Sequence, residues 1–191
     1  MRNIISIFIL GFVLAFSACT DPDLDPLRTD QIKKSALITL RGVAADNLND
    51  ADNYLGAVDK FSKAGDFAKE SFDFDADFIA GDITSLSKVE VYAKATGKSA
   101  RVRVATVDGA TFAVAKDAKY PTGKFSIPLK TILDATKADP STMGDDSYLY
   151  IECDITLKNG DVIAASDVTN SSLFETAFFY PAHKLLYLVT K

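Results

Sequence analysis

Tyr148-Leu149-Tyr150-Ile151-Glu152-Cys153-Asp154-Ile155-Thr156-Leu157, followed by Lys158-Asn159-Gly160-Asp161, reads as a strand that runs into a hairpin. Leu149, Ile151, Cys153, Ile155 and Leu157 fall on one side at a spacing of two, and Tyr148, Tyr150, Glu152 and Asp154 fall on the other. Asn-Gly between two strand patterns predicts a type I′ turn. A two-residue loop there pairs Leu157 with Val162 on the apolar face and Lys158 with Asp161 on the polar face. Cys153, in the middle of the apolar stripe, reads as a small buried hydrophobe and not as a nucleophile or metal ligand.

The same period runs outward through the chain. Ala36, Ile38 and Leu40 alternate with Leu37, Thr39 and Arg41; Phe72, Phe74, Ala76 and Phe78 alternate with Asp73, Asp75 and Asp77. Val89, Val91 and Ala93 alternate with Lys88, Glu90, Tyr92 and Lys94; Val102 and Val104 follow Arg101 and Arg103. Phe125 and Ile127 mark a strand stopped by Pro128, and Lys184 to Thr190 is so apolar that it predicts a strand covered on both faces. Thr96-Gly97-Lys98-Ser99 predicts a four-residue turn that sets Tyr92 opposite Arg103. Asp108-Gly109 predicts a second hairpin, with a bulge because the simple register puts Phe112 on the polar face. Leu129, Ile132 and Leu133 predict a short helix opened by Pro128, and Ser172-Leu173-Phe174-Glu175 fits a capping box. Residues 43–65 predict a loop with a short helix. About seven to nine strands with one or two short helices and no βαβ alternation define an all-β chain, a single antiparallel β-sandwich.

Composition agrees with a folded domain. The chain has 191 residues, 48% hydrophobic and 25% charged, with 21 Lys+Arg against 26 Asp+Glu. Its net charge of −5 argues against a general nucleic-acid binder, and two cysteines with a single histidine leave little for metal or nucleophile chemistry.

The N-terminus carries export information. Met1-Arg2-Asn3 is basic, Ile4 to Phe16 is nearly unbroken hydrocarbon, and Ser17-Ala18 precede Cys19. This is the three-part pattern of a secretory signal, and the apolar run is too short for a spanning helix of about 20 residues. Phe16-Ser17-Ala18-Cys19 resembles the lipobox of bacterial lipoproteins. The resemblance implies cleavage before Cys19, a diacylglycerol on its sulfur and an acyl chain on the new amino group. The alternative is an ordinary signal peptide with Cys19 paired to Cys153. Residues 1–18 are thus expected to be the signal peptide, 19–34 an acidic flexible tether, and 35–191 the β-sandwich domain.

Candidate chemistry is sparse. Asp73-Phe74-Asp75-Ala76-Asp77 starts like a calcium loop but has Phe78 where Gly is needed and Thr84 where Glu is needed, so a solvated strand face is expected. His183, the only histidine, is expected to be an exposed loop residue. No catalytic residues, metal site or cofactor are expected. No segment places an acid in an apolar pattern that would raise its pKa. The binding features are aromatic: Tyr92, Tyr148 and Tyr150, outward on their strands, and the cluster Phe178-Phe179-Tyr180. Flat exposed rings stack on sugars or pack against a partner, and equally serve cross-strand packing.

Several stretches together resemble the small surface lipoproteins of starch-utilisation-system-type nutrient-uptake loci. They are Phe16-Ser17-Ala18-Cys19 with the acids after it, Ser87-Lys88-Val89-Glu90-Val91-Tyr92-Ala93, and Lys124-Phe125-Ser126-Ile127-Pro128-Leu129. To these add Asp146-Ser147-Tyr148-Leu149-Tyr150 leading to Ile155-Thr156-Leu157-Lys158-Asn159-Gly160-Asp161, and Phe178-Phe179-Tyr180-Pro181 before the last strand. The resemblance implies an immunoglobulin-like sandwich anchored by lipid in the outer membrane, facing the cell surface. The implied role is non-enzymatic: holding a polysaccharide or assisting an outer-membrane transporter complex. Two other roles stay open: a structural or adhesion module that binds another protein, and a carboxylate-based glycoside hydrolase, which needs two acids facing one cleft.

Overall fold

The structure, a computed structural model, describes residues 36–43, 59–98, 100–144, 147–169 and 183–190. Among these residues nine strands and two short helices follow in the order β1 (Ala36–Gly42), β2 (Asp59–Ser62), β3 (Ser71–Ala80), β4 (Leu86–Ala95), β5 (Val102–Asp108), β6 (Thr122–Pro128), α1 (Leu129–Thr136), β7 (Tyr148–Leu157), β8 (Val162–Ile163), α2 (Ala165–Thr169) and β9 (Lys184–Thr190). They form two sheets: a small one in the order β1-β3-β6 and a large one in the order β2-β9-β7-β4-β5, with β8 also on β7. The chain is an all-β sandwich, as the period-two pattern predicts.

The alternation places the core where expected. Ile38, Leu40, Phe72, Phe74 and Phe78 from the small sheet meet Val89, Val91, Leu149, Ile151, Ile155 and Leu185 from the large one in a single buried cluster. Phe74 stacks on Phe125 with ring centroids 4.7 Å apart, and Phe112 meets Phe125 edge-on at 6.1 Å. A Cβ on Gly123 would run into the outer end of the Phe112 ring, so glycine at that strand position leaves the room the ring occupies. Each such side chain contributes on the order of 1.5–3 kcal/mol through burial. α1 buries Leu129, Ile132, Leu133 and Thr136 and packs on strands of both sheets.

Several local expectations fail for tertiary reasons. Residues 59–62 form a strand, β2, paired in parallel with β9, the one parallel pair among the described residues. The turn after β7 is longer by one residue: Thr156 pairs with Val162 and Ile155 with Ile163, and the Leu157 N–H donates to the Asp161 carbonyl. The loop is therefore Lys158-Asn159-Gly160, with Gly160 at φ 91°. This shift buries Ile163 (1% exposed) and leaves Val162 outside (53%), so the larger aliphatic residue goes to the core. Asp108-Gly109 does not close a hairpin. The Asp108 side chain accepts from Ala110 N–H and caps a 3-10 turn, and the chain crosses to the small sheet, where Ala113 bridges Thr122. In β9, Leu185, Tyr187 and Val189 are buried while Lys184 and Leu186 are half-exposed, so this strand is covered on one side and not two. The Tyr92–Arg103 pairing does form, with a bulge between Val91 and Tyr92. The capping-box residues 172–175 lie outside the described residues, and the helix near them in sequence is α2.

His183 is the largest departure. It is fully buried and left-handed (φ 62°). Its backbone N–H donates to the Ile38 carbonyl (3.0 Å), and its Nε2 accepts the Ile38 N–H (3.1 Å). Its Nδ1 faces the Cys153 carbonyl at 2.7 Å, and the Cys153 N–H donates to the His183 carbonyl at 2.9 Å. A carbonyl only accepts and an amide N–H only donates, so these partners fix the ring as neutral, protonated on Nδ1. One residue thereby stitches the free edge of β1 to β7, joining the sheets. The sequence signal is weak because the hydrogen bonds come from residues 145 and 30 positions away.

Candidate functional site

The outer face of the large sheet carries the aromatic residues. β4 and β9 flank β7, and the register sets Glu152 between Tyr92 and Lys184, and Tyr150 between Lys94 and Leu186. Their inward neighbours are buried, so alternation turns Tyr92, Tyr148 and Tyr150 outward, each half-exposed. Tyr148 and Tyr150 lie 6.0 Å apart between ring centroids. Arg101 rests on the Tyr92 ring, its guanidinium carbon 4.2 Å from the centroid, and the Lys184 ammonium lies 4.6 Å from the Tyr150 centroid.

The acids of this face are taken. Arg101 donates to both oxygens of Asp154 (2.8 and 2.7 Å) and approaches Glu152 at 3.6 Å. Ala165 N–H, at the start of α2, also donates to Asp154, leaving that carboxylate 6% exposed although it sits on the outer face. Asp154 in turn raises the Arg101 pKa. Glu90 accepts from Arg103 at 2.6 Å and from Lys88 at 3.3 Å; the Arg103 hydrogen bond foremost holds its carboxyl below the usual range. Lys94 and Lys184 have no carboxylate partner among the described residues.

A second feature lies at the lateral edge of the sandwich. Asp59, Lys60, Phe61, Glu70, Phe72, Asp73, Leu129 and Tyr187 line a cleft of about 470 Å³ between β2, the start of β3, the start of α1 and β9. Phe61, Phe72, Leu129 and Tyr187 make its floor, and Phe72 meets Tyr187 edge-on. Tyr187 Oη donates to the Asp73 carbonyl at 3.2 Å, and burial pushes its pKa up. Burial foremost, then the charges of Asp59 and Asp66, raises the Glu70 pKa. Glu70 shares this cleft with apolar residues drawn from four separate elements, a juxtaposition that no single segment displays.

Elsewhere the acids are structural. Arg41 donates to both Asp77 oxygens (3.0 and 3.2 Å) and approaches Asp75 at 3.7 Å, so the aspartates of β3 make a solvated face and not a calcium loop. Among the described residues, no group of three or more His, Cys, Asp or Glu can hold a metal ion. Cys153 is a free, buried thiol whose pKa burial raises, which suits packing and not nucleophilic attack. Cys19, Phe178, Phe179 and Tyr180 lie outside the described residues. Lys94 and Lys184 were not candidates from sequence, although the alternation around Tyr92 and Tyr187 carries the signal for both. Comparison with protein-family models and with curated proteins finds no match to this chain.

Proposed function

We propose that this chain is a lipid-anchored surface lipoprotein of the outer membrane whose sandwich holds a glycan for a nutrient-uptake system without turning it over. The observation that carries this reading is the neighbouring pair of half-exposed tyrosines on one sheet face, Tyr148 and Tyr150 on β7, with ring centroids 6.0 Å apart. Rings on a rigid sheet lose little freedom on binding and offer flat faces to sugar C–H surfaces. Cys19, through its likeness to a lipobox, supplies the anchor; each buried CH₂ adds about 0.8 kcal/mol, so several acyl chains hold a protein on a bilayer. Confinement to a surface then raises the effective concentration of whatever the domain binds.

Two measurements test this. Metabolic labelling with palmitate should mark the chain, and Cys19→Ala should abolish the label and release the protein from membranes. Affinity electrophoresis of the full chain through polysaccharide gels should show retardation that Tyr150→Ala removes; capture of a protein partner with no glycan retardation would favour the adhesion role instead. The cleft supports a second reading, a carboxylate-based glycoside hydrolase in which Glu70, with its raised pKa, is the proton donor. Reducing-sugar release that Glu70→Gln abolishes would establish it over the first.

A further inference from the structure

We propose that the ring face of the large sheet selects an acidic polysaccharide, its sugar rings on Tyr148 and Tyr150 and its carboxylates met by Lys94 and Lys184; this deepens the glycan-holding role above and rests on it. The chain as a whole is acidic, at −5, yet this face is not. Three of its acids, Glu90, Glu152 and Asp154, are engaged by Lys88, Arg101 and Arg103, and a fourth, Asp108, accepts from the Ala110 N–H. Glu152 is the cross-strand neighbour of Lys184 but turns to Arg101. Among the described residues two ammonium groups have no carboxylate partner, and they flank one ring: Lys94 is the register partner of Tyr150 on β4, and Lys184 stands over Tyr150 from β9.

Unmatched cations at a half-buried aromatic surface favour an anion that brings a ring with it. A neutral glycan would satisfy the tyrosines and leave both charges unanswered; a small anion would satisfy the charges and leave Tyr148, Tyr150 and Leu186 wet. A uronate polymer answers both, because each residue offers a C–H face and a carboxylate at a fixed distance from it. Attraction between exposed charges is screened by salt, so the selectivity must be ionic-strength dependent.

The test is affinity electrophoresis of the full chain in non-ionic detergent, through gels of polygalacturonate or of its fully methyl-esterified form, which keeps the rings and removes the charge. Expected are strong retardation by the acid polymer, weakening as salt rises, and weak retardation by the ester. Lys94→Gln with Lys184→Gln should weaken binding to the acid polymer about tenfold, as two exposed ion pairs can supply, and leave the ester and the melting temperature unchanged. Tyr150→Ala should weaken both. Equal retardation by acid and ester, indifferent to the lysines, overturns the charge selection and leaves glycan holding in place. No retardation by either polymer, with binding to a panel of neutral glycans retained, overturns it as well; no binding to any glycan overturns both. Lysine-dependent binding to oligothymidylate tighter than to polygalacturonate would give the face to nucleic acid and overturn the proposal.

Discussion

Arg41 and Arg101 each grip an aspartate with two hydrogen bonds, one on the outer face of each sheet, and the two pairs have different consequences. Arg41 is 40% exposed and serves Asp75 and Asp77 on β3, so one cation is spread over two acids. Arg101 is 30% exposed and serves Glu152 and an Asp154 that is only 8% exposed along its side chain. On the small sheet the result is a wetted wall in which the acids outnumber the arginine that serves them. On the large sheet one arginine absorbs two acids and covers Tyr92, which frees the lysines beside Tyr150. The same bidentate contact therefore closes one surface and prepares the other.

The difference can be broken first at the seam between the sheets. His183→Ala leaves the Ile38 N–H and the Cys153 carbonyl without their ring partner in a dry site. Each orphaned group costs about 1–3 kcal/mol, so urea denaturation should show a loss of about 2–6 kcal/mol. A loss under about 1 kcal/mol would mean that the sheets hold together without the stitch.

Next come the two pairs themselves. Asp154→Ala strands a part-buried guanidinium and the Ala165 N–H and should cost about 2–3 kcal/mol, less than a fully buried pair because Arg101 can partly re-solvate. Asp77→Ala on the small sheet breaks the half-exposed Arg41 pair and the Thr122 hydrogen bond (2.6 Å) and should cost about 1–2 kcal/mol, less than Asp154→Ala. Equal losses in the two variants would erase the contrast.

The smallest effect is at the cleft and has a sign. The folded pKa of Glu70 is raised, so its favourable contribution is fully present below the unfolded value and is lost as pH rises through the folded one. Glu70→Gln should thus slightly stabilise the protein near pH 7, with the gain vanishing below about pH 4, the ordinary glutamate range. A gain that persists unchanged at pH 3 would remove the burial explanation.

How much was legible follows from where each signal resides. Local alternation at Tyr148–Leu157 and Phe72–Phe78 displayed both core and outer face, because one side of each strand must be apolar. β2 was hidden because Asp59-Lys60-Phe61-Ser62 offers one apolar residue and gains its strand form from β9. The Asn159-Gly160 register was off by one because the choice between burying Val162 and Ile163 is made by the core beneath them. His183 was misjudged because loop sequence around it says nothing of Ile38. Of the site, the outward tyrosines could be read directly; the charge surplus could not, since it depends on Arg101 reaching over β4 to Asp154.

The pairing of β9 carries a kinetic consequence. Tyr187 lies beside Asp59 in register, and Leu188 beside Tyr148, so the large sheet is bridged by partners drawn from distant parts of the sequence. Closing such loops is slow compared with forming local hairpins. Until residues 184–190 have docked, β2 lacks its neighbour and the β7 edge lies open. The rigidity of the large sheet therefore waits on a non-local pairing, made only when residues 184–190 dock between β2 and β7.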